Sequence, residues 1–430
     1  MSPDSLITHV VGASALILVS AHTGGRLARR LGQPYIVGQM ATGIALGPSL
    51  LGSTAPTVYA ALFPAAVLGA LTGLAQFSLV VFLFAVGYEL DLKALGGLAR
   101  SSVTVALASF VVPMAVGSGC ALLFRDTLHD LGMDRDLSPA VVVFAGVALA
   151  TTAVPVLTAI VRENGLSRTV PGVVAVSAAG VLDAVCWTVL AGALLNAGGG
   201  GAGAGLDWPW RLALTAGHVT LMACAARPLL RLLLWRTRLE TSLRTALLIG
   251  FALGSAWVTH ALGLHVILGA LLAGVVVPRE PGGTLDPDLL RPLLSVASLL
   301  LPFFFVLSGQ SVALNSMTGT GWAALSVVTL LAVATKTGSG AVAARLGGLD
   351  RHDARTVGIL LNTRGLTELI VLDAGLDAGL LSGPLHTVLV FMALATTLLT
   401  QPLLQLNARL AARERRPEPA PGTAVKPYAG

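Results

Sequence analysis

An ionisable residue lies inside an apolar stretch that is long enough to cross a lipid bilayer. Asp183 stands near the middle of residues 170–195, where the surrounding side chains are almost all apolar. A charged side chain at the centre of a bilayer costs roughly 2.5 to 3.5 kcal/mol on insertion scales, so such residues are rare and usually functional. Lys336, Arg364 and Glu368 also lie within apolar stretches. These four residues predict a site that handles protons or cations inside the membrane.

Apolar stretches dominate the chain. Of its 430 residues, 55% are hydrophobic and 11% are charged, and the mean hydropathy is +0.82. An average soluble domain carries about 25% charged residues, so we predict an all-α polytopic membrane protein. Apolar runs of about 17 to 25 residues divide the chain into thirteen spans, approximately 6–25, 34–51, 67–88, 101–124, 138–161, 170–195, 209–230, 243–261, 264–278, 292–312, 321–346, 354–375 and 383–408.

The basic residues predict the orientation of these spans. Of the 27 Lys and Arg residues, 22 fall in loops on one side or in the C-terminal tail, three fall on the other side and two lie within spans. Because cytoplasmic loops are rich in Lys and Arg, we expect a multi-pass protein of the cell membrane with its N-terminus outside and its C-terminus in the cytoplasm. Basic loops against anionic lipid also explain the net charge of +6, so no nucleic-acid partner is predicted.

Residues 1–412 are predicted to form one transmembrane domain, and residues 413–430, rich in Pro, Arg and Glu, a disordered tail. The Gly-rich run 198–205 follows a membrane helix and has no strand before it, so it predicts a flexible linker rather than a phosphate-binding loop. The cysteines include no closely spaced pair, so the sequence predicts neither a disulfide nor a metal site. No cofactor is expected.

Two spans are interrupted near their centres. The fifth contains Thr151, Thr152 and Pro155, and the twelfth contains the polar run 362–368. Paired discontinuous helices at corresponding positions of two halves indicate a transporter built from inverted repeats, with its site at the midplane. For Pro155 alone, a kink that serves packing is an equal alternative, because proline is common in membrane helices.

The chemistry predicted for this midplane site is cation binding by oxygen atoms. Thr151, Thr152, main-chain carbonyls and the Asp183 carboxylate would meet where two broken helices cross, and fixed charges would offset the ends of the helix dipoles. Burial and nearby positive charge act on a carboxyl group in opposite directions, so Asp183 could exchange a proton for a cation. Lys336 is one of only three lysines beside 24 arginines. A buried lysine titrates readily and an arginine does not, so Lys336 either takes part in transport or serves only as a counter-charge.

Other titratable residues have simpler interpretations. Arg364 and Glu368 are four residues apart, so on a helix they share a face and would form a structural, charge-compensating pair. Two further groups lie near span ends, Glu89 with Asp91 and Lys93, and His260 with His265. A solvated cluster is the simpler interpretation of the first group, although pH sensing is an alternative for both.

Four segments resemble the monovalent cation:proton antiporters, in the branch of Kef-type efflux proteins and plant cation/proton exchangers. They are residues 31–52, 84–91, 265–279 and, most specifically, 361–372, which read Leu-Asn-Thr-Arg-Gly-Leu-Thr-Glu-Leu-Ile-Val-Leu. The resemblance implies a sodium/hydrogen exchanger fold of about thirteen helices with two discontinuous crossing helices. It also implies a homodimer in which spans four to six and eleven to thirteen form a core that moves against a dimerisation panel.

The resemblance also implies roles for individual residues. Asp183 matches the ion-binding aspartate, Thr152 and its neighbours match residues that help to ligate the ion, and Lys336 matches a lysine of the eleventh span. Leu182 departs from the pattern, because the family usually has Asp, Asn or Gln immediately before the aspartate. We therefore expect an antiporter of Na⁺ or K⁺ against H⁺ that is electroneutral.

Competing functions are a channel, a carrier of another solute and an intramembrane enzyme. The sequence has no filter-like repeat that a channel would require, and we find no Asp pair, Ser and His pair or metal-ligand spacing for an enzyme. A proton-coupled carrier of another small solute stays open. Because of Leu182, so does a membrane sensor with impaired transport.

Overall fold

We describe the fold from a computed structural model of the chain. The structure describes residues 2–89, 100–196, 208–236, 240–262, 266–279, 286–312, 314 and 317–414. Several sequence predictions fall outside these ranges, namely those for Asp91, Lys93, His265, the Gly-rich run 198–205 and the tail beyond Glu414.

The described residues form 19 α-helices and one π-helical turn. In chain order they are α1 (Pro3–Arg30), α2 (Tyr35–Leu46), α3 (Leu51–Thr54), α4 (Pro56–Leu62), α5 (Ala65–Glu89), α6 (Arg100–Leu123), α7 (Arg125–Asp130), α8 (Pro139–Ala150), α9 (Val154–Glu163), α10 (Val170–Asn196), α11 (Trp208–Leu221), the π-helical turn (Met222–Ala226), α12 (Arg227–Arg236), α13 (Thr241–Ala261), α14 (Val266–Val276), α15 (Pro287–Gln310), α16 (Gly319–Leu346), α17 (Arg351–Leu361), α18 (Leu366–Asp377) and α19 (Gly383–Glu414).

These helices correspond to the predicted membrane spans. Within the described ranges, nine helical segments are long and apolar enough to cross a membrane, judged by length and composition. They match the first, third, fourth, sixth, seventh, eighth, tenth, eleventh and thirteenth predicted spans. The second and ninth are the shorter helices α2 and α14, and the fifth and twelfth are each divided into two short helices. The prediction of an all-α polytopic membrane protein is confirmed.

The helices pack into two groups. The panel group consists of α1–α5 and α11–α15, and the core group consists of α6–α10 and α16–α19. Helices that pack extensively against one another belong to the same group. This division agrees with the core and panel that the family resemblance implies.

Small residues allow close packing inside the panel group. A Cβ atom on Gly43 of α2 would lie 2.5 Å from the Val306 carbonyl oxygen of α15, and one on Gly309 would lie 2.7 Å from the Met40 oxygen. Only residues without a side chain permit the backbones to approach so closely. The panel helices therefore form a tightly packed support.

The core group repeats one arrangement twice. In its first half, the broken span α8 and α9 lies in sequence between the long helices α6 and α10. In its second half, the broken span α17 and α18 lies between α16 and α19. The prediction of two discontinuous helices at corresponding positions is confirmed, and both breaks are buried.

Candidate ion-binding site

The two interrupted helices cross, and their non-helical segments bond directly to each other. The backbone N–H of Ala153 donates to the Thr363 carbonyl oxygen at 3.1 Å. The Thr152 hydroxyl donates to the Leu361 carbonyl oxygen, also at 3.1 Å. Since Leu361 ends α17 and Ala153 precedes α9, each break satisfies backbone groups that the other leaves free.

The first break arises from extended backbone, not from a kink at proline. Thr151 and Ala153 have ψ angles of 145° and 98°, and helix α9 begins at Val154. Pro155 is the second residue of this new helix. A proline in the first turn costs no hydrogen bond, because the first N–H groups of a helix have no partner in the helix. The proline therefore lies in the first turn of the second half of the span.

The second break depends on a glycine. Gly365 precedes α18 with φ of 157° and ψ of −130°, and its φ is positive, where a side chain is unfavourable. A Cβ atom on Gly365 would lie 2.7 Å from Cγ2 of Val156 in α9. The absence of a side chain thus lets the two crossing segments approach.

We predict that Gly365→Ala lowers the thermal unfolding midpoint of the purified protein. The added methyl group must displace Val156, and overpacking of this kind typically costs about 1 to 3 kcal/mol. Gly180→Ala in α10 is the control, because a Cβ atom there meets no atom within 4 Å. Equal midpoints for the two variants would show that the crossing tolerates a side chain.

Two buried cations cover the carbonyl end of α8. Arg364 donates from Nη1 to the Ala148 oxygen and from Nη2 to the Leu149 oxygen, each at 2.6 Å. The Lys336 ammonium donates to the carbonyl oxygen of Ala150, the last residue of the helix. The final carbonyls of a helix have no partner in the helix and carry its negative dipole end. Lys336 and Arg364 thus both contact the carbonyl end of α8, and their charge-compensating role stays a prediction.

Lys336 makes its contacts with backbone carbonyls. It is fully buried in α16, and its second bond, of 2.9 Å, goes to the Ser109 oxygen of α6. Among the described residues the structure contains no ion pair between Lys336 and Asp183. The counter-charge interpretation of Lys336 thus has direct contacts in its favour, whereas its titration in transport stays a prediction.

Arg364 and Glu368 form the pair that their spacing predicts. Arg364 Nη1 lies 2.6 Å from Glu368 Oε1, and both side chains are fully buried. The other carboxylate oxygen of Glu368, Oε2, has no hydrogen-bond partner in the part of the chain that the structure describes. Arg364 therefore contacts the carbonyl end of α8 at the first break and, at the same time, the Glu368 carboxylate of α18.

Asp183 lies beside this crossing, on α10. Its side chain is buried, with 2% exposure, and α10 packs against α6, α8, α9 and α17. Within the described ranges, its Oδ1 has no hydrogen-bond partner. A buried polar atom without a partner is unusual and indicates a functional group or an unseen ligand.

Cys186 connects Asp183 with the first break. Its Sγ lies 3.3 Å from the Thr151 hydroxyl oxygen, and it is three residues beyond Asp183 on α10, so the two side chains share a helix face. The thiol lies within electrostatic range of Asp183, Lys336 and Glu368. The structure therefore brings the predicted Asp, Thr, Lys, Arg and Glu residues into one buried region.

Leu182 faces the interior. Its exposure is 2%, and it adds neither charge nor a hydrogen-bonding group. The departure from the family pattern therefore lies in the interior of the core group.

Sequence reasoning missed three polar residues, of which Cys186 and His386 are buried and Asp373 is partly buried. Cys186 was set aside because it lacks a cysteine partner, although its position one helical turn after Asp183 indicated the same face. Asp373 lies near the predicted end of the twelfth span and His386 near the start of the thirteenth, so both resembled span-end residues. In the structure, His386 is fully buried and its Nε2 lies 2.9 Å from Asp373 Oδ1.

Two other residues with predicted roles, Glu89 and His260, lie outside this buried region. Glu89 is the last residue of α5, where its backbone oxygen accepts a hydrogen bond from Arg279. His260 lies in the last turn of α13, and its proposed companion His265 is outside the described residues. The two sensing alternatives remain predictions.

Comparisons with known proteins agree with this geometry. The family described as "Sodium/hydrogen exchanger, transmembrane" matches residues 16–406. The chain is 34% identical over 408 residues to "Cation/H(+) antiporter 19" of Arabidopsis thaliana, covering 94% of this chain and 50% of that protein. It is 32% identical over 400 residues to "Na(+)/H(+) antiporter NhaS4" of Synechocystis sp., covering 92% and 94%. The chain thus spans about half the length of the plant relative.

A solved structure has a similar fold. It is the sodium proton antiporter MjNhaP1 from Methanocaldococcus jannaschii, with a TM-score of 0.68 and 14% identity, covering 94% of this chain and 99% of that one. At this identity the likeness concerns the fold.

Proposed function

The chain belongs to the sodium/hydrogen exchanger family, and we propose that it exchanges a monovalent cation, Na⁺ or K⁺, for a proton across the membrane by alternating access. The observation that carries this proposal is the buried Asp183 carboxyl oxygen, Oδ1, which has no hydrogen-bond partner among the described residues and lies beside two crossing helix breaks. Ionisable residues and discontinuous helices near the midplane mark the substrate sites of transporters.

The exchange follows from competition for one carboxyl group. Asp183 holds a proton in one form and a cation in the other, so loading one releases the other. If both forms cross between the two faces and the empty carboxylate does not, the fluxes are coupled. The burial of Asp183 helps this coupling, because the empty carboxylate would be an uncompensated charge in a buried site, which is costly.

The remaining ligands would be oxygen atoms at the first break. Thr151 and Thr152 have hydroxyl oxygens with lone pairs beyond the bonds they donate. Hard cations favour oxygen ligands, and the carbonyl of the extended Thr151 receives no helical bond from Pro155, which has no N–H. Lys336 and the pair of Arg364 with Glu368 would fix the charge around the site without touching the ion.

Relatives support a small inorganic substrate. The names of two of them, the plant cation/H⁺ antiporter and the cyanobacterial Na⁺/H⁺ antiporter, describe cation and proton exchange in those proteins. The buried polar groups at the crossing are Asp183, small hydroxyls, Lys336 and the Arg364–Glu368 pair, which suits an ion better than a large organic solute.

The activity is tested with purified protein in proteoliposomes that contain a pH-sensitive dye. An imposed proton gradient should collapse on addition of Na⁺ or K⁺ and should persist on addition of choline. Absence of any cation-dependent proton movement, with correctly inserted protein, would reject exchange and favour the membrane sensor suggested by Leu182.

We further propose that the exchange is electroneutral. Leu182 supplies no second acid, so one cation would replace one proton and no net charge would cross. Moving one elementary charge through 100 mV is worth about 2.3 kcal/mol, so an electrogenic exchanger would respond strongly to voltage. We therefore predict that an imposed membrane potential, set with a permeant organic ion instead of Na⁺ or K⁺, leaves the rate of cation/proton exchange unchanged.

Leu182→Asp is the companion variant for this prediction. A second buried acid would change the charge of each loaded form, so voltage dependence is expected in the variant if it still transports. Strong voltage dependence in the wild type would refute the electroneutral mechanism and leave cation/proton exchange itself standing.

The setting of the transporter in the cell is also a proposal. The count of basic residues favours an N-terminus outside and a cytoplasmic C-terminus in the cell membrane. Exposed apolar residues of the panel group, such as Val11 and Trp257, would face lipid or a second copy of the chain. We propose a homodimer formed through the panel group, with each core group moving separately.

A further inference from the structure

A hydrogen-bonded chain of three side chains joins the panel group to the core group. Ser308 of α15 donates from its hydroxyl to Asp373 Oδ2 of α18 at 2.8 Å. The other oxygen of the same carboxyl group, Oδ1, lies 2.9 Å from His386 Nε2 of α19. Ser308 therefore belongs to one group, and Asp373 and His386 belong to the other.

Two of the three side chains in the cluster are buried, and the third is partly exposed. Ser308 is 4% exposed, His386 is fully buried and the Asp373 side chain is 24% exposed. Hydrogen bonds to charged groups contribute about 1.5 to 3 kcal/mol, which is more than neutral ones contribute. A partly buried carboxylate bonded through both oxygens is thus one of the stronger polar contacts available between two helix groups.

His386 orients the carboxyl group. His386 Nε2 bonds to Oδ1 of Asp373, and the second oxygen of Asp373, Oδ2, is directed at Ser308. The other ring nitrogen, Nδ1, has no hydrogen-bond partner among the described residues, so the one bond sets the orientation of the ring. Asp373 and His386 are therefore arranged as a positioning pair for Ser308.

We propose that the bond between Ser308 and Asp373 is a latch that holds the core group against the panel group in this conformation and breaks in each transport cycle. The proposal rests on the proposed function, because alternating access requires one group to move against the other. A bond that joins the two groups cannot persist unchanged when they shift.

The position of the latch indicates which face it closes. Ser308 lies near the end of α15, Asp373 in the second half of α18 and His386 in the first turn of α19. Under the orientation that the basic residues predict, all three lie in the outer half of the membrane. The latch would therefore close the outer face, and losing it would favour the conformation that opens there.

The test measures the distance between the two groups by pulsed electron paramagnetic resonance. Spin labels are attached at Thr57→Cys in α4 and His129→Cys in α7, which are exposed residues of the panel and core groups. The background carries Cys120→Ala and Cys224→Ala, and keeps Cys186, which is buried. This readout reports conformation whether or not the protein transports.

Ser308→Ala is expected to shift the equilibrium between the two conformations by about tenfold away from the latched distance, the factor that a charge-assisted hydrogen bond supports. Ser311→Ala is the matched control, since within the described ranges the Ser311 hydroxyl donates to the nearby Ser308 backbone oxygen and to no residue of the core group. Adding Asp373→Asn to Ser308→Ala should cause little further shift, because the Ser308 hydroxyl that Asp373 binds is already absent.

An unchanged distance distribution in Ser308→Ala would overturn the latch, as would an equal shift in Ser311→Ala. Failure of the wild type to exchange cations in proteoliposomes would instead overturn the proposed function. The two failures are therefore distinguishable.

Discussion

Replacing Asp183 by Asn is expected to abolish cation-coupled proton exchange while leaving the protein folded. The amide has nearly the same shape, but it neither carries a proton at neutral pH nor offers a full negative charge to a cation. Two unit charges about 4 Å apart at an effective dielectric constant of 20 attract by about 4 kcal/mol. Loss of an interaction of that size corresponds to roughly a thousandfold loss of affinity.

The fold should tolerate this substitution. Asp183 Oδ1 has no hydrogen-bond partner among the described residues, so the amide removes no bond from that atom. Exchange is measured in proteoliposomes over a range of pH and cation concentration, with Asp126→Asn in the exposed helix α7 as the control. Retained pH-dependent exchange in Asp183→Asn would show that another group carries the proton.

Replacing Arg364 by Met is expected to destabilise the protein by roughly 3 to 5 kcal/mol, the usual cost of removing one partner of a buried ion pair. The change leaves Glu368 buried without its partner. It also removes the donors for the Ala148 and Leu149 carbonyl oxygens at the end of α8. The measurement is the free energy of unfolding from titration with a denaturing detergent.

A second substitution separates these two causes. Arg364→Met combined with Glu368→Leu removes the uncompensated carboxylate as well, so the double variant should be more stable than Arg364→Met alone. The difference in free energy of unfolding that remains between the double variant and the wild type would measure the cost of leaving the α8 carbonyl oxygens without donors. Arg345→Met is the control, because Arg345 is exposed and donates to the Leu349 oxygen at the end of α16. Equal destabilisation by Arg345→Met would contradict a special role for Arg364.

Much of the fold was predictable because the bilayer constrains it. Spans must be long, apolar and helical, and the helices of the structure follow the predicted spans, including both interrupted ones. The location of the breaks was also predictable, because Thr151, Thr152 and the polar run 362–368 interrupt spans that are otherwise apolar. Their crossing followed from the pairing of two such helices in corresponding halves.

The contacts made by each charge were less predictable. The spacing of Arg364 and Glu368 indicated a pair, because helical geometry relates residues four apart. No local pattern relates Arg364 to the Ala148 and Leu149 oxygens, more than 200 residues earlier in the chain. Those contacts depend on how α8 and the second break cross, which is a property of tertiary packing.

Asp373 illustrates a different limit. It lies close to a predicted span end, and no role was predicted for it. Helix α18 continues to Asp377, and the carboxyl group bonds to residues of α15 and α19. Which residue of a neighbouring group meets a span end is decided by packing between groups that are far apart in sequence. The latch could therefore be recognised only in the structure.

Proton release on cation binding tests most directly whether Asp183 is shared by both ions. Purified protein is placed in weakly buffered detergent solution, Na⁺ or K⁺ is added, and the pH is recorded against a choline control. We predict that the wild type releases protons in proportion to the cation bound and that Asp183→Asn releases none. Equal proton release from both proteins would contradict the assignment of Asp183 as the exchange site.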